Sequence, residues 1–187
     1  MPKLSRVMVA IAAAISLTVM LAAQPVYAAH KKSTRPVARV VHRAATPPAR
    51  LTTAQARAIL IQAARHHNLN PNFVLAVSYW ESGWNQSALS RTGAVGLMQV
   101  EPYTAAWAGP SLLHRAVNLK NPVDNAELGA ALLRSYLDQL HDPGLVLAAY
   151  YQGLAGVRRH GIYPSSRTYV DGIWKLRNQF QAAHVAG

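Results

Sequence analysis

Phe73-Val-Leu-Ala-Val-Ser-Tyr-Trp-Glu81-Ser-Gly-Trp-Asn85 is the stretch whose reading decides the fold. Asn70 suits an N-cap and Pro71 the first turn of a helix, so the spacing predicts a helix from Pro71 to Trp80 with Glu81 at its end. Phe73, Val74, Ala76, Val77 and Trp80 cover most of its circumference, which predicts a buried helix rather than a half-exposed one. A carboxylate at the end of such a helix is costly to ionise. Trp80 and Trp84 are expected to desolvate it, and the C-terminal end of the helix dipole disfavours negative charge. A carboxyl kept protonated in this way is what a general acid requires.

Downstream lie Ser90-Arg-Thr-Gly-Ala-Val-Gly-Leu-Met-Gln-Val-Glu-Pro-Tyr-Thr-Ala105, then Asn118-Leu-Lys-Asn-Pro-Val-Asp-Asn-Ala-Glu-Leu-Gly129 and Leu147-Ala-Ala-Tyr-Tyr-Gln-Gly153. Together with the Glu81 segment and Tyr169-Val170, these ordered blocks closely resemble the catalytic core of the soluble-type lytic transglycosylases, lysozyme-like enzymes that cleave the glycan strands of peptidoglycan. The resemblance spans residues 55 to 178. It implies a mainly α, lysozyme-like domain, and residues 83–99, rich in Gly, Ser and Asn, read as its small irregular or β-hairpin lobe.

The resemblance also implies roles. Glu81 becomes the catalytic acid, Ser90 the site serine, Met98 and Gln99 the floor, and Tyr150 the tyrosine facing the acid. Gln99 carries donors and an acceptor suited to sugar amides. Two positions depart from the common pattern. Tyr151 follows Ala149-Tyr150 where many members have Asn, leaving Gln152 or Gln99 to supply the amide, and Arg167-Thr168 stands where a Glu is often found. The bland readings are Met98 as core, Ser90 as a turn residue and Tyr150 as a core aromatic. Gly93 and Gly96 are read as serving backbone geometry, and Asn85 as fixing its loop.

Glycosidases ordinarily use two carboxylates. No Asp or Glu lies between Glu81 and Glu101, Glu101 reads as solvated surface, and Asp124 and Glu127 belong to a helix start. One-acid chemistry therefore fits better. The mechanism implied by the resemblance is cleavage of the MurNAc-β-1,4-GlcNAc bond with formation of 1,6-anhydroMurNAc ends, without metal or organic cofactor. The alternatives are a hydrolytic muramidase of goose-type lysozyme character and a non-catalytic wall-binding module. No pair of the eight histidines has a helical ligand spacing beside an acid, and the adjacent His66 and His67 are expected to point to different sides of a helix. A zinc site is not expected.

The chain has 187 residues, enough for one domain of ordinary size. Lys3 and Arg6, the apolar run Val7–Ala23 and the small-residue site Val26-Tyr-Ala28 predict a secretory signal peptide over residues 1–28. The alternative is an uncleaved anchor. The protein is accordingly expected to be exported: periplasmic, wall-associated or secreted. It has no cysteine, which excludes thiol catalysis, thiolate metal sites and disulfides.

Residues 29–50 contain Lys31, Lys32, Arg35, Arg39, Arg43 and Arg50, three prolines and no acid, which reads as a disordered basic linker. The remaining residues 51–187, the transglycosylase-like domain, hold eleven Lys or Arg against seven acids, a net of +4. For an exported chain the natural partners of the linker are anionic wall polymers or a membrane surface, not nucleic acid; the alternative is a plain spacer.

The domain reads as helical throughout. Thr52 or Thr53 caps a helix to about His67, with Asn68 as its stop. Pro102 to Ala108 forms a short helix, and Asp124 caps a longer one whose Leu128, Leu132, Leu133, Tyr136, Leu137 and Leu140 mark one buried face. Asp142-Pro143 opens a helix ending near Gln152 with Gly153 as its stop, and Ser166 or Thr168 begins the last.

Overall fold

Helix boundaries follow short polar residues, prolines and positive-φ residues in a computed structural model that describes residues 50–186. The expected signal peptide and residues 29–49 of the basic linker lie outside the described residues. Helix α1 (Thr53–His66) starts on a capping box: Thr52 accepts from the Gln55 amide while the Gln55 side chain accepts from the Thr52 amide. Helix α2 (Pro71–Ser82) is capped by Asn70, and Gly83 closes it at φ 62°. It continues one turn-fraction past the expected end, so Glu81 lies inside its last turn.

Helix α3 (Pro102–Leu113) is longer than the expected Pro102–Ala108, running through Pro110 to a left-handed His114. Helix α4 (Pro122–Leu140) corrects the capping assignment. Asn121, not Asp124, accepts from the Val123 and Asp124 amides, because Asn-Pro places the cap directly before the proline that favours the first helical position. Asp124 in the first turn accepts instead from the Asn118 amide and pairs with Arg115.

Asp142 caps α5 (Pro143–Gln152) as expected, and Gly153 at φ 88° ends it. The same glycine starts α6 (Leu154–His160), a helix the sequence did not announce because no short polar cap precedes it. A 3-10 turn (Pro164–Ser166) leads into α7 (Arg167–Ala182).

Helix α2 is the centre of the core. Residues Asn72 to Ser78 are all buried, and the helix packs against α1 and α7. Helix α4 packs on α1, α3 and α5, and α5 on α6 and α7. The expected buried face of α4 holds for Leu128, Leu132 and Leu133, whereas Tyr136, Leu137 and Leu140 are half-buried as the helix leaves the core. Among the described residues no helix is long and apolar enough to cross a membrane.

Candidate active site

Between α2 and α3 the chain from Gly83 to Val100 forms the expected irregular lobe. Its only regular pairings are the antiparallel bridges Leu89–Val95 and Val95–Val100. Side chains from the helices do the work that a ladder would otherwise do. The Ser78 and Ser82 hydroxyls, one turn apart on α2, both donate to the Leu97 carbonyl at 2.8 and 2.9 Å. From α4, the buried Asn125 accepts from the Met98 amide at 2.9 Å and donates to the Val95 and Leu119 carbonyls. Gln86 donates to Leu119 and accepts from the Leu97 amide. Gly96, at φ 79°, lies so close that a Cβ there would sit 2.6 Å from the Asn125 amide nitrogen.

Glu81 stands in the last turn of α2. Its Oε1 accepts a 2.6 Å hydrogen bond from the Tyr169 hydroxyl, delivered by the first turn of α7. Burial raises the Glu81 pKa above the ordinary carboxylate value, and the Tyr169 hydrogen bond, which favours the charged form, lowers it by less. The Tyr169 hydroxyl is itself pushed well up by burial and by the neighbouring Glu81 charge, so it stays a donor. Tyr150 is raised for the same two reasons, burial first, and its hydroxyl donates to the Met98 carbonyl at 2.8 Å.

The aromatic surroundings differ from those expected. Trp80 is 42% exposed and meets Tyr169 edge-on at 6.2 Å, against Gly172, whose hydrogen leaves room for the indole. Trp84 is committed elsewhere: it packs on Tyr79 and Phe180 and donates to the Leu75 carbonyl. The tyrosine that touches the acid is Tyr169, and Tyr150 anchors the lobe. In the sequence Tyr169 stands out only within the Tyr169-Val170 block, and 88 residues separate it from Glu81. Tyr151 lies flat on Tyr169 at 4.7 Å and 24°, and presents its other face to solvent.

The remaining sequence candidates are placed as follows. Met98 is wholly buried, its side chain pressed on Gly129 of α4, where a Cβ would come within 2.5 Å of it. Gln99 is left-handed at φ 46°, and its amide nitrogen donates to the Ala88 and Gly96 carbonyls. Ser90 accepts from the Ala94 amide and bonds to Thr92, whose hydroxyl reaches Glu101 at 2.7 Å. Glu101 is therefore tied to the lobe rather than freely solvated. Gln152 is spent on the loop after α6, donating to the Gly161 carbonyl and accepting from the Tyr163 amide. Asn85 accepts from the Ser87 amide, a local turn contact.

The histidine expectation is corrected. His66 Nδ1 and His67 Nε2 do not diverge; both lie 2.8 Å from Glu127 Oε2. His66 is the last residue of α1 and His67 already leaves helical geometry at φ −96°, ψ 17°, so the rings are not separated by a helical step.

The chain is similar to several known proteins. A transglycosylase from Enterobacteria phage PRD1 is 40% identical over 91 residues, covering 49% of this chain and 32% of the relative. Membrane-bound lytic murein transglycosylase C of Haemophilus influenzae is 26% identical over 138 residues, covering 63% of this chain and 39% of the relative. The chain thus spans well under two thirds of the length of these relatives. Among solved structures, an inactive mutant of the lytic transglycosylase Slt from Pseudomonas aeruginosa superposes with a TM-score of 0.63 at 26% identity, over 70% of this chain and 24% of the other. The 70 kDa soluble lytic transglycosylase of Escherichia coli shares the fold at 22% identity, TM-score 0.63, over 68% of this chain and 24% of the other. The family model described as the transglycosylase SLT domain matches residues 58–169, more than half of the sequence, and the chain belongs to that family.

Proposed function

We propose that this domain is a peptidoglycan lytic transglycosylase in which Glu81 is the general acid and then the general base. The observation that carries the reading is the half-buried Glu81 carboxyl, pushed towards its protonated form and oriented by Tyr169. With Oε1 held by the tyrosine, the other oxygen is free to carry the proton to the glycosidic oxygen between MurNAc C1 and GlcNAc. The C1–O bond breaks as that proton arrives, and the substrate's own acetamido oxygen stabilises the positive charge left on C1. Glu81, now a carboxylate, takes the proton of the muramyl C6 hydroxyl as its oxygen closes on C1. The acid is regenerated, no water is consumed, and the new end is 1,6-anhydroMurNAc.

Family membership and the lytic murein transglycosylases among the relatives support this chemistry. The glycan strand is the substrate. Trp80 lines a cavity of about 810 Å³ together with Tyr79, Thr168, Asp171 and Lys175, where a sugar face can stack on the indole. Residues 1–28 direct export, and the basic residues 31–50 hold the enzyme against anionic wall polymers or a membrane surface.

Digestion of purified peptidoglycan in ¹⁸O-labelled water tests the reading. Expected products are one water lighter than those of a hydrolase and carry no label in the muramic ends. Label incorporation would make the domain a muramidase. Release of no fragments at all would make it a binding module.

A further inference from the structure

We propose that His66, His67 and Glu127 form a binding site for a zinc-like divalent cation that staples α1 to α4. Three potential ligand atoms converge there: His66 Nδ1, His67 Nε2 and a Glu127 oxygen, all within 4.8 Å of one another. Both imidazoles, from the end of α1 and its C-cap, lie 2.8 Å from the same carboxylate oxygen of Glu127 in the second turn of α4. In a tetrahedral zinc site, bonds of about 2.0–2.1 Å place neighbouring donors roughly 3.3 Å apart. Each imidazole nitrogen, now 2.8 Å from the Glu127 oxygen, would have to draw back from it by about half an ångström to admit the ion between them.

The donor chemistry selects the class of cation. Two imidazole nitrogens with one carboxylate suit zinc, nickel or copper, whereas magnesium and calcium favour all-oxygen sets. The side chains also divide usefully by exposure. His67 and Glu127 are 14% and 13% exposed and so preorganised, while His66 is 69% exposed, which leaves a coordination position open to water. A bound ion accepts both imidazole lone pairs and the carboxylate charge at once, a set of three that a simple ion pair does not use.

The position gives the staple a consequence. Glu127 lies two residues from Asn125, the side chain that holds Met98 and Val95 in the lobe. Fixing the first turns of α4 to α1 stiffens the support of that lobe from outside the catalytic groups.

The experiment compares the full chain with its His66→Ala and Glu127→Gln variants, with zinc or magnesium added after chelator treatment. Isothermal titration is expected to give about one zinc per chain at this site. The thermal midpoint should rise with zinc and not with magnesium, since an ion bound only by the folded state stabilises it by mass action. His66→Ala removes an exposed side chain and should fold normally; it is expected to weaken zinc binding at least tenfold and to suppress the midpoint rise, as Glu127→Gln should. A zinc response absent from the parent, or retained in full by His66→Ala, would overturn the proposal.

Discussion

At Glu81 two effects oppose each other on one carboxyl: burial raises its pKa and the Tyr169 hydroxyl pulls it back. Tyr169→Phe removes the second alone. The carboxyl should then titrate still higher, and activity, which requires the protonated acid, should persist to higher pH on the alkaline limb of kcat/KM. The rate on the plateau should fall about tenfold or more, because a hydrogen bond to the charge that develops on Glu81 during proton transfer is lost. A pH–rate profile measures both; a limb shifted to lower pH would contradict the assignment. Glu81→Gln keeps the size of the side chain and removes the proton, so turnover should drop by roughly 10²–10⁴-fold or more, read by clearance of cell-wall suspensions.

The same substitution has an opposite effect on stability. A carboxyl whose folded pKa lies above its unfolded value binds more protons when folded, so between those two values stability falls as pH rises. The burial cost is absent below the unfolded value and fully present above the folded one. Glu81→Gln should consequently raise the thermal midpoint at a pH above the folded value and leave it nearly unchanged below the unfolded one, as calorimetry across the pH range would show.

For the elements, the lobe between α2 and α3 depends on helices that are distant in sequence. Asn125→Ala leaves the Met98 amide and the Val95 carbonyl without their side-chain partner in a buried place, and should cost about 3 kcal/mol in denaturant unfolding. Gly129→Ala looks favourable by helix propensity, yet its methyl would meet Met98 at 2.5 Å. Overpacking outweighs propensity here, and a net loss of about 1–3 kcal/mol is expected.

These contacts also explain what could be read beforehand. Helices α1, α2 and α5 were legible because Thr52, Asn70 and Asp142 each act on the amide three residues away. Glu81 was legible because it ends a long apolar run. The bonds from Ser78 to Leu97, Asn125 to Met98 and Tyr169 to Glu81 bridge 19, 27 and 88 residues, and no local pattern encodes them. Likewise Gln152 resembles a sugar-binding amide in sequence, but its partners Gly161 and Tyr163 lie beyond a helix that had no cap to reveal it.

Across the whole molecule, charge is concentrated outside the helical domain. Six basic residues and no acid occupy positions 29–50, whereas residues 51–187 carry only +4. Replacing Lys31, Lys32, Arg35, Arg39 and Arg43 with Ser should weaken sedimentation with whole walls at low salt and leave cleavage of soluble glycan chains nearly unchanged. The difference should fade towards 1 M salt, where the screening length is about 3 Å. Equal sedimentation at every ionic strength would reduce the segment to a spacer.

The pair of hydroxyls on the Leu97 carbonyl has a mechanical meaning. Ser78 and Ser82 flank Glu81 on the same helix, so the segment bearing the acid also grips the lobe beneath it. Any displacement of α2 should therefore carry the acid and the Leu97 end of the lobe together as one piece. Amide hydrogen exchange should register this as a shared opening event: Leu97 to Val100, although almost without strand, should exchange at the pace of the α2 interior and not at that of a surface loop.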